Sequence, residues 1–335
     1  MRAGLVLVAG PNGAGKTNLL ESLHVGTQGF SPRTRSDESL IRFGADGARL
    51  ALAGDRAGSP LAIDVVLRPR EAKRAALNGA RLGSAEQLRA EIATLVFTPD
   101  RLVVVKGGPA ARRAYFDRAL ARALPAQASA PTDYAAALAQ RNAALRGVAG
   151  GFSTRDALAP WTERVATLGA ALVAARGRVL ELLRPRFAER AGELGLPEAM
   201  LRYDGEPPTL AALEARLDRD LERGSTGLGP HLDDVAILTR ERDLRAFGSQ
   251  GEQRLTVLAL LLAEAEIVRE QRGAPPLLLL DDVLSELDPE RRQILAQRLR
   301  DYGQSVITTT SAGALPDEPD QLLGVAPSAD GTVVT

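Results

Sequence analysis

The sequence predicts an α/β fold interrupted by a mainly helical lobe, on three observations. A short apolar run at residues 5–8 leads straight into a glycine-rich loop, Gly10-Pro11-Asn12-Gly13-Ala14-Gly15-Lys16-Thr17. From about residue 110 to 222 the composition turns to alanine, leucine and arginine, with few β-branched residues. Four leucines at 277–280 then precede Asp281 and Asp282, the pattern of a strand buried on both faces that ends at a ligand site.

Taken in order, residues 5–8 form the first strand, and a helix over 17–24 carries Leu19, Leu20 and Leu23 on one face. Strands are expected at 49–53 and 61–67, a hairpin turn at Asn78-Gly79, and a short strand at 95–98 stopped by Pro99. The lobe holds helices at about 110–123, 132–146, 158–190 and 209–222, separated by Gly/Ser/Pro-containing breaks at 125–131 and 147–153. In the last helix Leu210, Leu213, Leu217 and Leu221 recur at helical spacing, with Thr209 as N-cap. Mixed character returns near Gly227, with strands at 235–239, 277–280 and 305–309 and helices at 252–270 and 289–300. Residues beyond Pro316 carry no reading. Residues 1–98 and 226–335 are therefore expected to form a discontinuous head, and 99–225 the inserted lobe.

Composition bounds the chemistry. The 335 residues are 45% apolar and 25% charged, as in ordinary globular proteins. Formal net charge is zero, so any site for a polyanion is local rather than a property of the whole surface. Cysteine is absent, which excludes disulfides, thiolate zinc sites and thiol catalysis in this sequence. No apolar run approaches the length of a membrane span, and a cytoplasmic protein is the default expectation.

The loop fits G-x-x-x-x-G-K-[ST], in which glycines let successive N–H groups turn toward one point. The helix that follows adds its partial positive end, so a phosphate is favoured there. Lys16 is expected to reach the β- and γ-phosphates of a nucleotide, and the Thr17 hydroxyl to ligate Mg²⁺. The expected binding set is Gly10, Pro11, Asn12, Gly13, Ala14, Gly15, Lys16, Thr17 and Asn18. Asp281 would hold Mg²⁺ opposite Thr17, and Asp282 would polarise the attacking water. Taken alone, the acidic pair also reads as a surface feature behind a core strand. Ser249-Gln250-Gly251-Glu252 opens the long apolar helix and admits two readings. One is a second anion-binding helix start, supplied to another copy of the chain; the other is a capping box.

On these motifs the chain resembles the RecF family of bacterial DNA-gap repair proteins, within the ABC-type P-loop ATPases that also include SMC-like proteins. The resemblance extends over essentially the whole length. Its most specific parts are the stretch from Pro99 to Asp117, Gly229-Pro230-His231-Leu232-Asp233-Asp234, and the run from Asp281 through Ser285 to Asp288. It implies an ATP-dependent homodimer in which Ser249, Gln250, Gly251 and Glu252 close over ATP held by the partner. Ser285 and Asp288 would lie in the segment crossing that interface, and Lys16 and Asp282 would carry slow hydrolysis. It further implies binding to duplex and gapped DNA without sequence specificity, and assistance to RecA loading through RecO and RecR. Arg33, Arg35 and Arg42, with Arg112 and Arg113, are candidate phosphate contacts; a solvated helix face is the equal alternative.

The chain departs from the family pattern at several points. Leu232 stands where Arg is usual, Phe116 where an aliphatic residue is usual, and Glu252 where Gln is common. Thr308–Thr310 occupies the position of the switch histidine of many ABC ATPases, and His24 and His231 are expected to be structural or solvent-facing. Only nine residues precede Gly10, where the family carries two strands and an Arg with aromatics beside the base, so a truncated start is expected. Three rivals remain: an ABC transporter subunit, an ATP-gated DNA clamp with negligible turnover, and a small-molecule kinase. The long helical insertion argues against the first, and residues 249–252 and 285–288 against the last.

Overall fold

Five consecutive buried residues, Leu5–Ala9, form β1, and the principal sheet is built outward from it. The computed structural model describes residues 1, 3–34, 36–56, 58–328 and 331–335. The chain divides into two compact units, residues 1–101 with 268–335, and residues 102–267.

After β1 come α1 (Lys16–Gln28), β2 (Ala48–Arg56), β3 (Ser59–Leu67), β4 (Arg74–Leu77), β5 (Ala80–Arg81), α2 (Ala85–Glu91) and β6 (Thr94–Phe97). The second unit opens with α3 (Val103–Lys106), α4 (Pro109–Ala123), α5 (Ala130–Ala149) and α6 (Ala159–Glu193). It continues with β7 (Ala199–Asp204), α7 (Leu210–Ala215), α8 (Leu217–Arg223), β8 (Asp234–Thr239), β9 (Arg242–Asp243), α9 (Leu244–Phe247) and most of α10 (Gln250–Arg272). The first unit resumes with β10 (Leu277–Leu280), α11 (Pro289–Asp301), β11 (Ser305–Thr309), β12 (Gln321–Ser328) and β13 (Gly331–Val334).

The principal sheet runs β13-β12-β1-β11-β10-β6, parallel except for the antiparallel β12–β13 pair. Its central strands are buried over their full length, which is why they read as continuous apolar runs rather than alternating ones. Register places Ala9 beside Thr309, and Leu280 beside both Ile307 and Phe97. The carboxyl ends of β1, β10 and β11 therefore lie side by side, the edge at which open parallel sheets bind ligands. One face is closed by Leu20 of α1, packed with Val6, Val8, Val96, Leu279, Val306 and Val325. Glycines in left-handed conformation bound α1 at both ends, Gly15 (φ 95°) and Gly29 (φ 75°).

The other sheet of this unit is the antiparallel meander β2-β3-β4-β5. Ile63, Val65 and Leu67 alternate inward along β3, and the turn after β4 uses Asn78 (φ 48°) and Gly79 (φ 83°), the left-handed pair a two-residue hairpin demands. In the second unit α4 and α6 pack on the small sheet β7-β8-β9, and α5 packs on α6.

Three differences from the sequence reading stand out. The helix expected over 209–222 is two helices broken at Arg216 (φ −100°, ψ 0°), a break the leucine spacing does not signal; Thr209 caps the first as expected. Strands β7, β12 and β13 were not expected, because Gly324 and Pro327 and the exposed positions of β7 dilute their apolar pattern. Finally, the compact division falls at 101/102 and 267/268, rather than at the 98/99 and 225/226 boundaries read from composition. Residues 226–267 join the second unit because β8 pairs with β7 in register from Ala199–Thr239 to Asp204–Asp234. On α10, Glu264 accepts hydrogen bonds from Tyr115 and Arg122 of α4.

Candidate functional site

The loop between β1 and α1 is shaped from beneath by the last strands of the chain. A Cβ at Gly10 would meet the Val325 carbonyl oxygen at 2.2 Å, and one at Gly15 would meet Thr332 Oγ1 at 2.3 Å. Gly13 (φ 79°) and Gly15 (φ 95°) also need the left-handed region that other residues resist. Thr332 donates to the Ala14 carbonyl (3.0 Å), and Asp320 accepts the Leu5 N–H at 2.6 Å. Pro11, Asn12 and Gly13 form an exposed crest, with Asn18 exposed on the first turn of α1. Lys16 is nearly buried and folds back over the loop, its Nζ donating to the carbonyls of Gly10 (2.8 Å) and Pro11 (2.9 Å). This holds the ammonium against the loop it closes.

Next to the loop, Thr17 Oγ1 bonds both carboxylate oxygens of Asp281, at 3.1 and 3.0 Å. Asp281 leaves the end of β10 with its N–H donated to the Phe97 carbonyl. Asp282 is held at φ 49°, an uncommon conformation for a residue with a side chain. Its carbonyl accepts from Ser285 Oγ at 2.9 Å. Thr308, fully buried on β11, donates to Asp281 Oδ1 at 2.6 Å and accepts the Asp282 N–H at 2.9 Å. Sequence reasoning placed Thr308 only as part of a stretch lacking histidine. Its alternation with Val306 in a strand beside the acid-bearing one was the available signal. Asp288 caps α11, accepting from Arg291 N at 2.9 Å and pairing with its guanidinium at 2.7 Å. The Arg291 N–H, and then its charge, hold the Asp288 carboxyl below the ordinary carboxylate range.

In the second unit, residues 249–252 form a reciprocal capping box at the start of α10. Glu252 N donates to Ser249 Oγ at 3.2 Å, and Ser249 N donates to Glu252 Oε2 at 2.8 Å. The Ser249 N–H, and then the Ser249 hydroxyl, hold the Glu252 carboxyl below its usual range. Ser249, Gln250 and Gly251 are nevertheless exposed, so the helix start faces outward. Buried Gln253 braces it, its amide donating to the carbonyls of Leu244 (3.0 Å) and Gly248 (3.1 Å).

The arginines expected to meet DNA are placed differently from one another. Arg33 and Arg42 are exposed, and Arg33 faces Glu21 at 3.3 Å. Arg35 lies outside the described residues. Arg112 corrects the expectation: it is buried, its guanidinium fork bidentate on Asp234 (2.7 and 2.6 Å) with a third bond to the Gly107 carbonyl. Arg113 is half-buried and donates to the Asp233 carbonyl. Asp117 takes Arg176 in the same forked way, and Arg176 reaches the Pro230 carbonyl at 2.7 Å. The two family-specific stretches, 99–117 and 229–234, are thus tied together by charge inside the lobe. Arg112→Ala is expected to lower stability by about 2 kcal/mol, because it strands Asp234 and the Gly107 carbonyl. Urea unfolding is the measurement, and a midpoint equal to wild type would show that the fork on Asp234 contributes nothing to stability.

Both histidines are structural, as expected. His24 is buried against Phe30 and bonds its carbonyl at 2.9 Å. His231 Nε2 donates to the Thr226 carbonyl (3.0 Å), so Nδ1 accepts from Tyr134 OH (2.7 Å). Burial holds its pKa below the ordinary histidine value.

A phosphate loop after the first parallel strand, an acid at the end of the strand two places away and a threonine joining them define a P-loop nucleotide-binding head. The chain belongs to the RecF/RecN/SMC N terminal domain family, which matches residues 1–334. Within that family its similarity is to RecF. It is 40% identical over 329 residues to the DNA replication and repair protein RecF of Anaeromyxobacter dehalogenans (strain 2CP-C), covering 91% of this chain and 86% of that protein. To the RecF of Heliobacterium modesticaldum it is 35% identical over 333 residues, covering 95% and 89%. Among solved structures, the recombination mediator protein RecF with ATP in the RecFOR pathway superposes with a TM-score of 0.86 at 29% identity, covering 100% of this chain and 92% of that one. An Smc head bound to the C-winged helix domain of ScpA shares the fold, with a TM-score of 0.58 at 17% identity over 99% and 89%.

Proposed function

We propose that the chain is an ATP-gated DNA-binding protein of replication and recombinational repair, dimerising on ATP. The observation that carries the reading is the Thr17–Asp281 contact beside a loop closed by Lys16. It gathers the ammonium, N–H groups and hard oxygens that a nucleoside triphosphate and its metal require. RecF relatives, one of them solved with ATP, support ATP as the nucleotide. Residues 10–18 hold the triphosphate, and Thr17 with Asp281 suits Mg²⁺, which favours one or two protein oxygens plus phosphates and water. Bound there, Mg²⁺ supplies neutralisation of charge on the phosphates. Asp282 orients the attacking water, and as a side chain shorter than Glu it favours slow hydrolysis.

Ser249, Gln250, Gly251 and Glu252 of a second copy close over the nucleotide, with Ser285 and Asp288 along the same seam. Loss of the γ-phosphate removes the bridge between subunits and releases DNA. We further propose partnership with RecO and RecR and assistance to RecA loading at gaps; the likeness to a RecF of the RecFOR pathway supports the partnership. No helix among the described residues is long and apolar enough to cross a membrane.

The test uses two substitutions at one position. Ser249→Arg blocks the seam by bulk, and Ser249→Asp keeps a helix cap but opposes phosphate with like charge. Both proteins should bind ATP as monomers yet remain monomeric by light scattering with Mg²⁺ and a slowly hydrolysed analogue. A wild-type dimer fraction in either variant overturns the sandwich.

A further inference from the structure

We propose that Thr308 is a positioning residue that couples the metal-facing carboxylate of Asp281 to the backbone of Asp282. The inference rests on the nucleotide reading above and assigns a role within it to a residue that carries no charge.

The Thr308 hydroxyl has one proton. It sits 2.6 Å from Asp281 Oδ1, an acceptor, and 2.9 Å from the Asp282 N–H, a donor. Its proton therefore goes to Asp281 and its lone pair to Asp282, and both ends are used. The residue is fully buried, so water does not take over either bond. Asp281 Oδ1 is pinned by this short charge-assisted bond, whereas among the described residues Oδ2 has only the shared Thr17 hydroxyl at 3.0 Å. Thr308 thus fixes which carboxylate oxygen remains free to turn toward a cation beside Thr17. The second bond holds Asp282 at φ 49°, where a side-chain-bearing residue needs support. One hydroxyl on β11 consequently sets the aim of both acids at the end of β10. An orienting partner behind a metal ligand typically accounts for about 10–100-fold in metal affinity.

The experiment measures ATP affinity by calorimetry in EDTA and at stepped Mg²⁺ concentrations, on wild type, Thr308→Val and Thr308→Ser. Valine keeps the branched shape and removes both bonds; serine keeps the hydroxyl. The expected result for Thr308→Val is affinity in EDTA within about twofold of wild type, with a Mg²⁺ half-saturation raised about 10-fold or more. Thr308→Ser should restore the Mg²⁺ response. Equal Mg²⁺ responses in wild type and Thr308→Val, or equal loss in Thr308→Val and Thr308→Ser, overturn the assignment. If the valine protein does not fold, Thr308→Ala removes the same hydroxyl without adding bulk and is read by the same criteria. Failure of wild type to bind ATP overturns the nucleotide reading itself; normal wild-type binding with an unaltered Thr308→Val overturns only the role of Thr308.

Discussion

Lys16→Ala is expected to lower ATP affinity by about 100-fold and to abolish ATP-dependent association while leaving the fold intact. The ammonium makes two bonds to the loop's own carbonyls, to Gly10 and Pro11, and neither is part of the sheet or of the helix ladder. Its removal costs the fold little, whereas charge-assisted bonds to phosphate are worth about 1.5–3 kcal/mol each. Titration with a fluorescent ATP analogue and thermal unfolding monitored by circular dichroism give the two readouts. Undiminished nucleotide affinity would remove Lys16 from the binding set.

The largest stability loss is expected from Asp220→Ala. Arg141 is wholly buried, and its Nη1 is held by Asp220 Oδ2 (2.8 Å) and Thr226 Oγ1 (2.7 Å), with Nε on Thr162. Arg141 Nη2 already lacks a partner, so the guanidinium has no reserve. Removing Asp220 leaves a buried cation uncompensated and strips the Gly227 N–H of its acceptor, at a cost of about 3–5 kcal/mol. The single tryptophan, Trp161, lies on α6 of the same unit, so its fluorescence during urea unfolding reports this transition. Replacing both partners by leucine should recover most of the loss, because no lone charge then remains buried. A midpoint for Asp220→Ala equal to wild type would show that water reaches Arg141.

What the sequence displayed, and what it concealed, follows from how local each signal is. Residues 277–280 and 305–309 read correctly as strands because burial on both faces leaves an unbroken apolar run. Thr209 and the Asn78-Gly79 turn were legible because capping and left-handed turns are decided by one or two residues. The phosphate loop and the acidic pair were legible as motifs, yet the hydroxyl that joins Asp281 to Asp282 was not, since Thr308 is brought there by strand order alone. Arg112 misled for the opposite reason. A pair of arginines at a helix start looks like a surface patch until Asp234, far along the chain, is folded against it. The capping box at Ser249 and Glu252 was one of two readings, and the structure shows that its geometry also leaves residues 249–251 exposed.

Strand β1 is made long before either of its neighbours in the sheet, since Leu5 pairs with Ser305 on β11 and Val6 with Gln321 on β12. Throughout most of synthesis the phosphate loop is a hydrophobic stub followed by glycines, with no Val325 or Thr332 to shape it. Residues 102–267, complete much earlier, have their own sheet and ion pairs to organise them. The phosphate loop therefore takes its shape only once β12 and β13 are in place, so a chain lacking them keeps an organised lobe and no working trigger.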